Sequence, residues 1–137
     1  MNLNLVKKAE DLLSQCQAVT LSSVTENGYP RGCVLAKLEC EGIKTLRFAT
    51  GTNSAKTGQF RVNPKASACF YLGNDAVTLL GKVRIVSDPE SKKRYWQDWF
   101  IKHFPGGPDD PDYTLLEFTS EEGTFYIDEE FETFALD

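Results

Sequence analysis

The sequence predicts an α+β fold, an antiparallel β-barrel with attached helices, and three observations lead there. Short apolar segments recur with tight-turn signals between them, Asn27-Gly28 and Gly73-Asn74-Asp75 being the clearest. Helical spacing is confined to a few places, too few to supply the crossovers that parallel strands need. The chain has 137 residues, 41% of them hydrophobic and 26% charged. That is the usual size of one domain, so residues 1–137 are expected to share one core.

The elements follow in order. Leu5, Val6, Ala9, Leu12, Leu13 and Cys16 fall at helical spacing, which predicts an amphipathic helix over 4–17. A strand over 18–25 comes next. Asn27-Gly28 tolerates positive φ and returns the chain through a second strand, "YPRGCVLAKLEC"; Glu41-Gly42 turns it again into a third, 45–50. Ser54 is a good N-cap for a short helix over 55–62, which Asn63-Pro64 stops. "KASACFYL" and "AVTLLGKVRIV" read as another hairpin, with Gly81 marking a bulge or a close backbone approach. Asp88 caps and Pro89 opens a helix expected to run through "ESKKRYWQDWFIKHF", before the loop "PGGPDDPD". Two short strands, "YTLLEFT" and "GTFYID", follow, and "EEFETFALD" is a strand edge or a frayed tail.

Composition narrows the function. All 15 Lys and Arg lie in residues 1–103 with 9 acids, whereas 104–137 hold 11 acids and no Lys or Arg. The acidic end would repel a nucleic-acid backbone, while the basic part suits a small anionic ligand. The N-terminus interrupts its apolar pattern with charges, unlike a secretory signal, and no apolar run is long enough for a membrane span; a cytoplasmic protein is expected. Cys16, Cys33, Cys40 and Cys69 form no CxxC pair, and His103 is the sole histidine. No zinc spacing results, reduced thiols are expected, and any Ser-His or Cys-His scheme would have to use His103.

One cluster points to chemistry. In "FATGTNSAKTGQF" a strand ends and a helix begins, gathering Thr50, Thr52, Ser54 and Lys56. Amides at a helix start lack partners and carry partial positive charge, so an anion gains hydrogen bonds there, and a lysine adds a full charge. Two readings stand: a phosphate cradle, or a plain serine cap with turn threonines and a solvated lysine. Arg31 shares a strand face with Cys33, Leu35 and Lys37 and no acid. It either awaits an anion or sits at the barrel rim.

"YPRGCVLAK" followed by "LRFATGTNSAKTGQFRVNP" resembles the flavin-binding motif of the pyridoxamine 5'-phosphate oxidase-like split barrels. "WFIKHFPGGPDDPDYTLLEFT" resembles that family's small general-stress-protein branch. The resemblance covers nearly the whole chain. It implies an antiparallel split β-barrel of about six to seven strands with flanking helices, binding flavin mononucleotide (FMN) as a homodimer with the cofactor at the subunit interface. Arg31, Thr50, Ser54 and Lys56 would meet the FMN phosphate. The backbone of Gly32, Cys33 and Val34, with Phe48 and Ala49, would lie along the flavin ring. Trp96, Trp99 and Phe104 would cover the ring of the partner's cofactor, unless they serve as core or interface residues.

The departures matter too. Ala55 replaces a second basic residue of the vitamin-making oxidases, Arg31 to Lys37 is one residue longer than their Arg to Lys spacing, and nothing basic follows His103. An FMN-dependent oxidoreductase of a small molecule, using a nicotinamide nucleotide or another donor, is therefore expected in place of a true pyridoxamine phosphate oxidase. No side chain is assigned as catalytic. The alternatives are a non-enzymatic flavin-binding redox sensor or flavin store in stress, and a haem- or deazaflavin-binding split barrel for which His103 is the one available histidine ligand.

Overall fold

The structure, a computed structural model, describes residues 1–137. Helix α1 (Leu3–Gln15) starts where the Asn2 side chain accepts from the Leu5 N–H at 3.1 Å, and its stripe of Leu5, Ala9, Leu12 and Leu13 is buried. Strands β1 (Ala18–Val24), β2 (Pro30–Ala36) and β3 (Thr45–Gly51) follow, then helix α2 (Ala55–Val62). β4 (Lys65–Leu72) and β5 (Asp75–Val86) form a hairpin, and α3 (Pro89–Arg94) precedes β6 (Tyr113–Ile127) and β7 (Glu130–Ala135). All pairings are antiparallel. The fold is α+β, as predicted.

The seven strands make one sheet in the order β2-β1-β4-β5-β6-β3, with β7 beside the far half of β6. The end strands β2 and β3 do not pair along their lengths. They converge just past β2, where the Leu38 N–H donates to the Arg47 carbonyl at 2.9 Å. The barrel is therefore split along the β2–β3 seam. A core of 20 buried residues from α1, α2 and the inward sheet face fills it, Phe48, Phe60, Phe70, Phe118 and Phe125 among them.

Gly81 sits beside a bulge and at a close approach: the register slips between Leu80 and Gly81, leaving Glu121 of β6 as the extra residue, and a Cβ on Gly81 would lie 2.0 Å from the Thr119 carbonyl oxygen. Two expectations are corrected. The two strands expected over 113–128 are one 15-residue strand, because β5 pairs with it throughout while β3 and then β7 share its other edge. Of the two readings of the final segment, the strand edge holds: it pairs with β6 alone. The helix expected from 89 to 104 stops at Arg94 and resumes as a 3-10 turn over Asp98–Lys102. Tertiary contacts break it. The Tyr95 ring lies under the guanidinium of Arg47 (4.7 Å) and near that of Arg94 (5.3 Å), and Trp96 meets Phe100 and Tyr113 edge-on at 5.3 Å.

Candidate functional site

At the seam β3 gives way to α2, and the local chemistry explains why. The Ser54 hydroxyl caps the helix by accepting from the Thr57 N–H at 3.4 Å, and it also meets the hydroxyls of Thr50 (3.3 Å) and Thr57 (2.9 Å). Thr57 donates in turn to the Gly51 carbonyl at 2.8 Å. Thr52 is committed elsewhere, its N–H and hydroxyl donating to Asp112 O and Pro111 O, each at 2.7 Å. The N–H groups of Asn53, Ala55 and Lys56 find no acceptor within the chain, and no acid stands in the first helical turn. Lys56 is half-buried and takes part in none of the six salt bridges. The positive end of α2 is thus open, with an uncompensated ammonium beside it.

Lys56 lines a cavity of about 450 Å³ that occupies the seam. Val34, Leu35, Ala36 and Leu38 form its β2 wall; Ala49, Thr50 and Gly51 form its β3 wall. The third wall is Trp99, Phe100, His103 and Phe104, from the 3-10 turn and its end. No carboxylate lines it.

The aromatic wall is braced from behind. Phe100 and Phe104 belong to a second buried cluster with Leu38, Val86, Tyr113 and Leu115. The Tyr113 hydroxyl donates to the Lys92 carbonyl at 2.8 Å, and burial pushes its pKa up to about 12. Lys92, itself buried, donates to the Asp110 carbonyl at 2.9 Å. The Asp110 carboxylate accepts from the Asp112 and Gly106 N–H groups, each at 2.9 Å, and these bonds hold its pKa below the usual range. The loop that follows the wall is fixed by its own backbone.

Of the residues singled out in the sequence, Val34, Ala49, Thr50, Lys56, Trp99 and Phe104 line this cavity. Ser54 stands behind it, bonded to Thr50. Phe48 turns its side chain into the barrel core and is fully buried. Arg31, Gly32 and Cys33 lie further along β2, opposite Ser23, Ser22 and Leu21. Arg31 is exposed and in no salt bridge; the Ser23 side chain bonds Gln59, which brings that strand end against α2. Trp96 packs in the second cluster and does not line the cavity. Sequence reasoning missed Leu35, Ala36, Leu38, Gly51 and Phe100, and took His103 no further than a possible haem ligand. Alternation pointed to part of the β2 wall, but nothing local showed which face of β2 would meet which face of β3.

Other hollows lack this combination. A groove of about 700 Å³ between the β1–β2 turn and the outer side of α2 has Glu26 as its one charged residue. One of about 390 Å³ holds Lys65 and Lys82, with Lys82 3.8 Å from Glu121.

Outside the barrel, register aligns Val34, Thr20, Cys69, Thr78, Thr124 and Thr133 across six strands without a charge. The next row includes Tyr71, Tyr126 and Phe131, and Val34, Tyr71 and Phe131 are each at least 70% exposed. Val34 belongs both to this flat face and to the cavity wall.

Fold and site together define a split barrel with an aromatic-walled cavity at its seam and an unpaired ammonium on its lining. The family model for pyridoxamine 5'-phosphate oxidase matches residues 5–126, and the chain belongs to that family. Among solved structures it is similar to a protein from Clostridium acetobutylicum related to general stress protein 26 of B. subtilis. That similarity is 29% identity and a TM-score of 0.88, covering 100% of this chain and 98% of the other. General stress protein 26 from Bacillus anthracis str. Sterne is 23% identical with a TM-score of 0.77, covering 96% and 99%. A heme binding protein from Mycobacterium smegmatis is 13% identical with a TM-score of 0.76, covering 96% of this chain and 57% of that one. The last two likenesses show the fold alone. No curated protein matches the sequence.

Proposed function

We propose that this chain binds FMN at the seam, as a homodimer in the cytoplasm, and works as a flavin-dependent oxidoreductase of a small molecule. The observation that carries the reading is Lys56: a half-buried ammonium without an anionic partner, beside open helix amides, on the rim of an apolar cavity. A phosphate monoester satisfies that set, because it supplies acceptor oxygens and negative charge together. Lys56, Ser54 and Thr50 would hold the phosphate with Arg31. The apolar ring would lie against Val34 and Ala49 and the backbone of Gly32, Cys33 and Phe48. Bound flavin supplies two-electron chemistry; the protein's part is to position it, set its electrostatics and exclude water.

A second copy would seat on the outer face, over its two uncharged rows. Exposed apolar and hydroxyl residues without charge are what an obligate interface buries, and Val34 ties that face to the cavity. In such a dimer Trp99 and Phe104, with Trp96 behind them, would stand close to the cofactor of one subunit or the other. The substrate is unlike pyridoxamine phosphate, since no Lys or Arg follows Lys102 to hold a second phosphate. A nicotinamide nucleotide is the proposed donor.

The test is the visible spectrum of freshly purified protein, taken with its mass in solution. A flavin absorbance pair and a dimer mass support the reading. A Soret band would replace it with haem, and colourless protein indifferent to added FMN would remove both flavin forms of it. Bound flavin that no donor reduces and no acceptor reoxidises leaves the alternative of a sensor or store.

A further inference from the structure

The cavity lining carries two basic side chains, Lys56 and His103, and the phosphate reading uses one of them. Lys56 comes from α2; His103, an exposed residue, comes from the end of the 3-10 turn, where its backbone N–H donates to the Phe100 carbonyl at 2.9 Å. Its ring meets Trp99 and Phe104 edge-on, at 6.2 and 6.4 Å, and its nitrogens bond to no group of the chain. The neighbouring lining is Trp99, Phe100 and Phe104 with aliphatic side chains of β2. Planar rings gain both area burial and edge-to-face contact in such a setting. An imidazole carries an N–H donor in either charge state, so a lone acceptor atom on such a ring would find its partner there.

We infer that His103 is the specificity-determining anchor of the substrate end of this cavity, and that the substrate is a planar aromatic carbonyl compound whose oxygen accepts from the imidazole. The inference rests on the FMN reading for its division of the cavity into phosphate and substrate ends. The Trp99 and Phe104 rings select a flat body, and His103 fixes its orientation. The absence of a lining carboxylate leaves nothing to attract a cationic amine. A neutral aromatic ketone loses little on leaving water, provided its one oxygen is bonded.

The test compares 9-fluorenone with fluorene, tricyclic rings that differ at the carbonyl, by equilibrium dialysis against the protein as purified and again after saturation with FMN. Fluorenone should bind about fivefold more tightly than fluorene, the scale of one net hydrogen bond. His103→Leu should abolish that preference while leaving fluorene and FMN affinities unchanged; His103→Gln, which keeps an N–H donor, should restore part of it. Equal binding of the two rings, or a preference that survives His103→Leu, overturns the inference. So does an equal loss for both rings in that variant, which would mark His103 as merely structural. Failure of FMN to bind any form defeats the cofactor reading instead, and the ring comparison on the protein as purified still decides this one.

Discussion

Replacing Lys56 with Ala isolates the phosphate contact from the rest of the site. The side chain makes no salt bridge, so its loss breaks no ion pair of the folded protein. It lies in the first turn of α2, where alanine is well tolerated. Two unit charges 4 Å apart near a protein surface attract by about 4 kcal/mol before desolvation is counted, and a charge-assisted hydrogen bond nets about 1.5–3 kcal/mol. The half-buried position keeps part of that interaction from solvent, and the Ala55 and Lys56 amides remain to hold the anion. Lys56→Ala should therefore weaken FMN binding by about 1–3 kcal/mol, roughly 5- to 150-fold, with a smaller deficit at high salt. Riboflavin has the same ring and no phosphate. Its affinity should stay within about twofold, since it offers the ammonium no charge. The assay is titration of flavin fluorescence by wild-type and variant protein, with thermal melts as a folding control. An equal loss for FMN and riboflavin would refute the reasoning and make Lys56 a support of the cavity wall.

Three further outcomes follow from the fold. Gly81→Ala drives a Cβ to 2.0 Å from the Thr119 carbonyl, where backbone must yield, so it should cost about 3 kcal/mol or more in denaturant unfolding, or prevent folding. Glu117 accepts from Arg84 at 2.9 Å and from buried Arg47 at 3.2 Å; burial raises its pKa, but the Arg84 hydrogen bond and the two guanidinium charges outweigh it and set it low. A depressed carboxyl stabilises the fold above its unfolded value, near 4.3, and that contribution fades as pH falls toward the folded value. Glu117→Gln should thus cost about 1–3 kcal/mol near neutral pH, since Arg47 loses one carboxylate and keeps Glu41 at 3.1 Å, and should show a flatter loss of stability below about pH 4.5 in urea titrations. Tyr71→Lys places a charge on the flat outer face, and should halve the mass measured by sedimentation while leaving the circular dichroism of the fold unchanged; a mass unaffected by it would put the subunit contact elsewhere.

What the sequence determined by itself was local. Periodicity gave α1 to within a residue or two, and the Ser54 cap gave the start of α2, because it bonds an amide only three residues away. Asn27-Gly28 and Gly73 turned their hairpins because Gly28 and Gly73 adopt positive φ, a choice made within the turn. The cluster of Thr50, Ser54 and Lys56 was legible for the same reason: a strand end and a helix start separated by a few residues must lie together.

The tertiary structure decided the rest. The Asp88 cap and Pro89 did open a helix, yet Tyr95 against the Arg47 guanidinium and Trp96 against Tyr113 outweigh the few backbone hydrogen bonds lost at the break. β6 runs unbroken through Ser120 because β5 pairs with it from end to end, which its own residues do not reveal. Above all, β2 and β3 are sheet ends that meet at Leu38 and Arg47, and the gap they leave admits a wall of Trp99, Phe100, His103 and Phe104 from half the chain away. A cavity is a relation among surfaces distant in sequence, set by how far a twisted sheet curls before its edges meet. Each residue of the seam was written in the chain; that they face one another followed only from the curl.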